Sequence, residues 1–120
     1  MKASTFWYFF KFALKTMVLR QNKPILGTII VTDKCNLACK HCAVNNINGI
    51  IYPYKNILQE METLYSMGVR ILFFCGGETF LWSDSGKNIR DLVCEAKDMG
   101  FLDVVVVTNG TFKLDLNEAD

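Results

Sequence analysis

Three cysteines are crowded into one short segment, Cys35-Asn36-Leu37-Ala38-Cys39-Lys40-His41-Cys42. Thiolates are soft ligands that suit zinc and iron–sulfur clusters, and one compact loop can aim three of them at a single centre. A closed [4Fe–4S] site takes four cysteines, so three would leave one iron open to a small molecule. Zinc is the competing reading, with His41 or a distant cysteine as fourth ligand. His41 is adjacent to Cys42, however, which makes joint ligation of one tetrahedral ion awkward, and no second paired set follows. Unliganded structural thiols are a third reading. The chain has five cysteines, an odd number, unevenly placed. That pattern fits a reducing compartment better than a secreted disulfide scaffold.

Two further segments could meet a ligand. In Gly76-Gly77-Glu78 the glycines permit close backbone approach, and a carboxylate can pair with an ammonium. Thr108-Asn109-Gly110 contains a generic turn former. Either alone could be a simple turn. Cys75 and Cys94 read as small buried hydrophobes, with Cys94 on a helix away from the site.

What must position these segments is an alternation of strands and helices. Ile29, Ile30 and Val31 lie in a short apolar run over 25–32, typical of a buried strand. A polar loop from Asp33 to about Ile51 carries the cysteine cluster. Pro53 can open a helix in which Ile57, Leu58, Met61, Leu64 and Tyr65 recur at helical spacing, and Gly68 can stop it. A second strand over 69–74 runs into Gly76-Gly77-Glu78. Ile89, Leu92, Val93 and Ala96 make a further helical stripe closed by Gly100, and a third strand over 104–107 precedes Thr108-Asn109-Gly110. Residues 111–120 read as a loop beginning another helix. Strand–helix alternation of this kind predicts an α/β fold with a parallel sheet of right-handed units. In such folds, functional groups collect beyond the carboxyl ends of the strands, where all three segments fall.

The N-terminal stretch over 6–19 is aromatic and aliphatic, interrupted by Lys11 and Lys15. It is too short and too charged to span a bilayer, which takes roughly 20 consecutive apolar residues. As a helix, it would align Phe6, Phe10, Ala13, Leu14, Met17 and Val18 in one apolar stripe. The first reading is packing against its own domain or parts beyond it; the second is a peripheral contact with a membrane surface. The chain of 120 residues has a formal net charge of +1, which gives no reason to expect nucleic acid as partner.

The form Cys-Asn-Leu-x-Cys-x-His-Cys after a first strand resembles the signature of the radical S-adenosylmethionine (SAM) superfamily. The likeness is to its branch of peptide-modifying, cofactor-building and GTP-cyclising members, and it runs from about Ile25 to Thr111. It implies a [4Fe–4S] cluster on Cys35, Cys39 and Cys42, whose open iron is chelated by the amino and carboxylate groups of SAM. One electron then cleaves SAM to methionine and a 5′-deoxyadenosyl radical. Gly76, Gly77 and Glu78 match the Gly-Gly-Glu motif that receives the methionyl amine. His41 matches the residue that contacts SAM through its backbone or packs near its adenine. Thr108 and Asn109 match the Thr-Asn-Gly segment common after strand three in that branch, to be read either as touching SAM or substrate or as a plain turn.

Two positions depart from the pattern. Thr79 stands where many relatives have proline, which alters loop stiffness. Phe73 stands where GTP-cyclising members usually place an arginine, so the resemblance does not favour that identity. The implied architecture is an incomplete parallel (βα) barrel of about three units, a partial TIM-type barrel. Residues 1–22 form the N-terminal extension and 23–120 the first half of the core, as in a fragment of a longer enzyme. The implied partners are an electron donor of flavodoxin or ferredoxin type and a small-molecule, peptide or lipid substrate. The expected location is the cytoplasm, with membrane association under the second reading of the helix. A non-catalytic half of a split protein and a small zinc-binding interaction domain are the alternatives.

Overall fold

The computed structural model describes residues 3–43 and 49–112. Helix α1, Ala3–Leu19, comes first, followed by strand β1, Leu26–Thr32. Helix α2, Tyr54–Met67, leads into strand β2, Ile71–Gly76. A short 3-10 turn, Thr79–Leu81, precedes the two-residue strands β3, Ser83–Asp84, and β4, Lys87–Asn88. Helix α3, Ile89–Met99, and strand β5, Asp103–Val106, complete the described order.

β1, β2 and β5 form one parallel sheet in the order β1-β2-β5, so the fold is mixed α/β as the alternation predicts. Strand residues alternate faces. Ile29, Val31, Leu72 and Phe74 bury one face against Ile57 and Met61 of α2 and Leu92, Val93 and Ala96 of α3. Burying each of these side chains other than Ala96 contributes about 1.5–3 kcal/mol relative to exposure. The other face is more open, with Ile30 exposed and Ile71, Phe73 and Cys75 half-buried.

The helix boundaries follow from backbone chemistry. Pro53 stands at the N-cap of α2, and Gly68 ends the helix in the left-handed region at φ 105°. Helix α3 opens on a capping box: Asn88 Oδ1 accepts from the Arg90 N–H, and Asp91 Oδ2 accepts from the Asn88 N–H. Between Gly-Gly-Glu and α3 lies a β3–β4 hairpin that the helical and strand periodicities do not announce. Its two-residue turn, Ser85-Gly86, has positive φ at both positions, the twist that suits a tight hairpin.

Three expectations need correction or restriction. The second strand begins later than its apolar run suggests and continues through Cys75 to Gly76. Cys94 is exposed on α3 rather than buried. The expected helix after Thr111 falls almost entirely outside the described residues, since only 111 and 112 are described there.

Helix α1 buries none of its residues. Its predicted apolar stripe faces away from the sheet, with Phe6, Phe10, Leu14, Met17 and Val18 all exposed. The opposite side meets the domain, where the Tyr8 hydroxyl donates to the Gly68 carbonyl at 3.0 Å.

Candidate functional site

The three segments singled out in the sequence meet at the carboxyl edge of the sheet, and hydrogen bonds tie them together. The first tie is between the ends of β1 and β2. Gly77 N–H donates to the Thr32 carbonyl and Glu78 N–H to the Lys34 carbonyl, both at 2.8 Å. A Cβ on Gly76 would overlap the Thr32 carbonyl oxygen, and one on Gly77 would collide with the carbonyls of Asp33 and Lys34. Both glycines are therefore required by close approach of backbone to backbone, which fixes the base of the cysteine loop. The far end of that loop is held as well. Thr32 Oγ1 donates to the Ile50 carbonyl at 2.6 Å, and buried Trp82 donates through Nε1 to the Tyr52 carbonyl at 2.8 Å.

The second tie joins the ends of β2 and β5 through Glu78. Its side chain is fully buried at 0% exposure. Oε1 accepts from the Phe80 N–H at 3.1 Å and the Thr108 hydroxyl at 2.8 Å, while Oε2 accepts from the Asn109 N–H at 2.8 Å. A carboxylate offers about four acceptor positions, so three are engaged within the chain. Thr79 is also fully buried, and its hydroxyl donates to the Val107 carbonyl at 2.9 Å. Proline at that position has no hydroxyl to make this bond.

The third tie joins the β5 loop to the cysteine loop. Asn109 Nδ2 donates to Asn36 Oδ1 at 2.9 Å and lies 3.9 Å from Cys35 Sγ. Asn36 in turn donates to Thr111 Oγ1 at 2.9 Å, and the Thr111 hydroxyl donates back to Asn109 Oδ1 at 2.6 Å. Asn36 and Thr111 were not read as site residues in the sequence, and Thr79 only as a departure from the proline of relatives. Asn36 could have been, since it lies inside the cysteine motif; the Thr79 bond to Val107 and the Thr111 bond to Asn36 join groups distant along the chain.

Among the cysteines, Cys35 is half-buried, Cys39 and Cys42 are exposed, and none is in a disulfide. The Leu37 N–H donates to Cys35 Sγ at 3.4 Å, and the Cys42 N–H closes a turn onto the Cys39 carbonyl at 3.1 Å. Among the described residues no three of His, Cys, Asp or Glu converge tightly enough for a single metal ion. The donor set of three thiolates from one loop fits a multi-iron cluster, which spreads its ligands over several metals. His41 sits exposed on the turn between Cys39 and Cys42. Cys75 lies half-buried on β2, where burial pushes its thiol pKa up.

A parallel α/β sheet whose three-cysteine loop is clasped to the turns after its second and third strands defines a class of α/β proteins with a thiol-bearing edge. The particular family follows from comparison: the family model for the radical SAM superfamily matches residues 29–118, and the chain belongs to that superfamily. It is similar to a 7,8-dihydro-6-hydroxymethylpterin dimethyltransferase of Methanocaldococcus jannaschii, 37% identical over 95 residues. That match takes in 75% of this chain and 18% of the relative. The antilisterial bacteriocin subtilosin biosynthesis protein AlbA of Bacillus subtilis is 30% identical over 90 residues, 73% of this chain and 19% of that protein. A GTP 3′,8-cyclase of Clostridium botulinum is 28% identical over 95 residues, 75% of this chain and 29% of the enzyme. The chain thus spans less than a third of these relatives. Among the described residues, no helix is long and apolar enough to cross a membrane.

Proposed function

We propose that this chain is the cluster- and SAM-binding part of a radical SAM enzyme, built as the first half of a (βα) barrel over 23–120 with 1–22 as an extension. The observation that carries the reading is the clasp of the cysteine loop to the other two turns through Glu78 and Asn109. Cys35, Cys39 and Cys42 would hold a [4Fe–4S] cluster. When bound and reduced, that cluster supplies the electron for cleavage of SAM to methionine and a 5′-deoxyadenosyl radical.

The chain's own residues prepare the place. Glu78 keeps the turns after β2 and β5 at a fixed separation, and through them the Gly76-Gly77-Glu78 segment that we assign to the methionyl ammonium. The Gly76-Gly77 backbone is locked against β1, so it offers its polar groups without reorganising. Thr108 and Asn109 border the same place, and His41 stands on the cysteine turn where it can border the adenine. The hydrogen bonds at Cys35 orient its sulfur at the base of the loop. The more open face of the sheet, with Ile30 and Phe73, is the side on which a substrate would meet the radical. An external donor of flavodoxin or ferredoxin type supplies the electron, and the substrate is a small molecule, peptide or lipid.

Anaerobic reconstitution with iron and sulfide tests the reading. The account expects about four irons per chain, with uptake lost in Cys35→Ala, Cys39→Ala and Cys42→Ala and retained in Cys94→Ala. A chain that takes up zinc alone, or iron equally well without the three cysteines, would sink it.

A further inference from the structure

Helix α1 and the base of the domain enclose a feature that the clasped site does not use. A cavity of about 240 Å³ lies between α1 and Gly68, walled by Tyr8 and Phe12 and ringed by Lys11, Lys15, Lys23 and Arg70. The Arg70 guanidinium is held in place by neutral groups. It donates to the carbonyls of Tyr65 and Val69 at 2.8 and 2.7 Å and stacks 3.6 Å from the Tyr65 ring. Among the described residues, no carboxylate lies within 4.0 Å of any of the four cations. Charge around the cavity is therefore uncompensated within the described chain, and an anion is its natural complement.

The outer side of the same helix narrows the choice of anion. Phe6, Trp7, Phe10, Leu14, Met17 and Val18 are 51–84% exposed. At 3.6 residues per turn, they occupy the arc opposite Phe12, with Lys11 and Lys15 on the boundary between that arc and the cavity. Trp7 and Phe10 stack at 5.7 Å, and the Lys11 ammonium lies 5.4 Å from the Trp7 ring. No Asp or Glu precedes Asp33, whereas Lys2, Lys11, Lys15, Arg20 and Lys23 do. An apolar aromatic arc beside an all-cationic flank is complementary to an anionic lipid surface, and not to a water-exposed acidic protein face.

We propose that α1 docks this protein on an anionic phospholipid surface, with the aromatic arc in the interface and a lipid phosphate in the cavity among Lys11, Lys15, Lys23 and Arg70. Both parts of the contact are built on one helix, so each positions the other. The contact needs neither cluster nor SAM and is read on the metal-free chain, so its failure leaves the assignment of the cysteine site intact.

The test is co-sedimentation of the 120-residue chain with vesicles of phosphatidylcholine alone and of phosphatidylcholine doped with phosphatidylglycerol. The account expects binding to the doped vesicles only, with a blue shift of tryptophan emission. That shift reports on Trp7, 55% exposed, because Trp82 is already buried at 1%. Exposed Lys11→Gln and Lys15→Gln should each weaken binding about five-fold, with an unchanged far-ultraviolet spectrum. Salt at about 1 M, where the screening length is about 3 Å, should abolish it. Equal binding to both vesicle types, or full binding by the double lysine variant, would overturn the proposal. So would concentration-dependent self-association through the aromatic arc in place of vesicle binding. Saturation by inorganic phosphate without vesicle binding would make the cavity a soluble-anion site and overturn the lipid assignment as well.

Discussion

Glu78 carries more of the local order than its place in a Gly-Gly-Glu turn suggests. Three donors from two turns converge on its buried carboxylate. In Glu78→Gln the volume is kept, but one oxygen becomes an NH₂ that must face the Asn109 N–H or the Thr108 and Phe80 donors. A buried donor left without an acceptor costs about 1–3 kcal/mol. Urea unfolding of the variant should show a loss of that size, and a loss near zero would mean the clasp is not formed in solution.

Cys75 gives a second test at this scale. Burial raises its pKa, so at any given pH it holds less thiolate than an unperturbed thiol. Iodoacetamide at about pH 8 should label exposed Cys94 first, and the Cys75 rate should begin to climb only at higher pH. Labelling of Cys75 ahead of Cys94 would contradict its burial.

At the scale of elements, α3 depends on its cap. Asn88→Ala removes the acceptor for the Arg90 N–H and should cost about 1 kcal/mol, read by thermal or urea unfolding. Asp91, the other half of the box, has its carboxyl held below the usual range, chiefly by the Asn88 N–H. A depressed carboxylate stabilises the fold above its ordinary pKa and stops doing so as pH falls through its lowered folded value. The stability gap between wild type and Asp91→Asn should therefore be open at neutral pH and close in acid below the ordinary carboxylate range. A gap independent of pH would assign the box no ionic share.

These elements also show what a linear sequence can and cannot tell. The βα cycles were legible because Ile57, Met61, Leu92 and Ala96 recur at helical spacing and Gly68 and Gly100 stop their helices in the left-handed region. The β3–β4 hairpin was not, since two-residue strands carry no periodicity and only Ser85-Gly86 hints at a turn. Helix α1 was legible as a helix with one apolar stripe, but not which side it turns to the domain: the contact runs through Tyr8, whose hydroxyl reaches Gly68, while the stripe stays exposed. At the site, the three segments were visible as motifs. Their joining by Glu78, Asn36 and Asn109 was not, because these partners lie 31 and 73 residues apart in the chain.

For the whole molecule, the sheet order β1-β2-β5 sets the three loops side by side at one edge. The chain spans less than a third of the relatives it matches. On the proposed reading, that edge is the place where radical chemistry would start. The most direct measurement of that claim is the electron paramagnetic resonance spectrum of the reconstituted, reduced protein with and without SAM. The account predicts a reduced-cluster signal that changes shape when SAM is added and is missing in Cys39→Ala. A spectrum indifferent to SAM, or a protein that holds no reducible cluster, would contradict it.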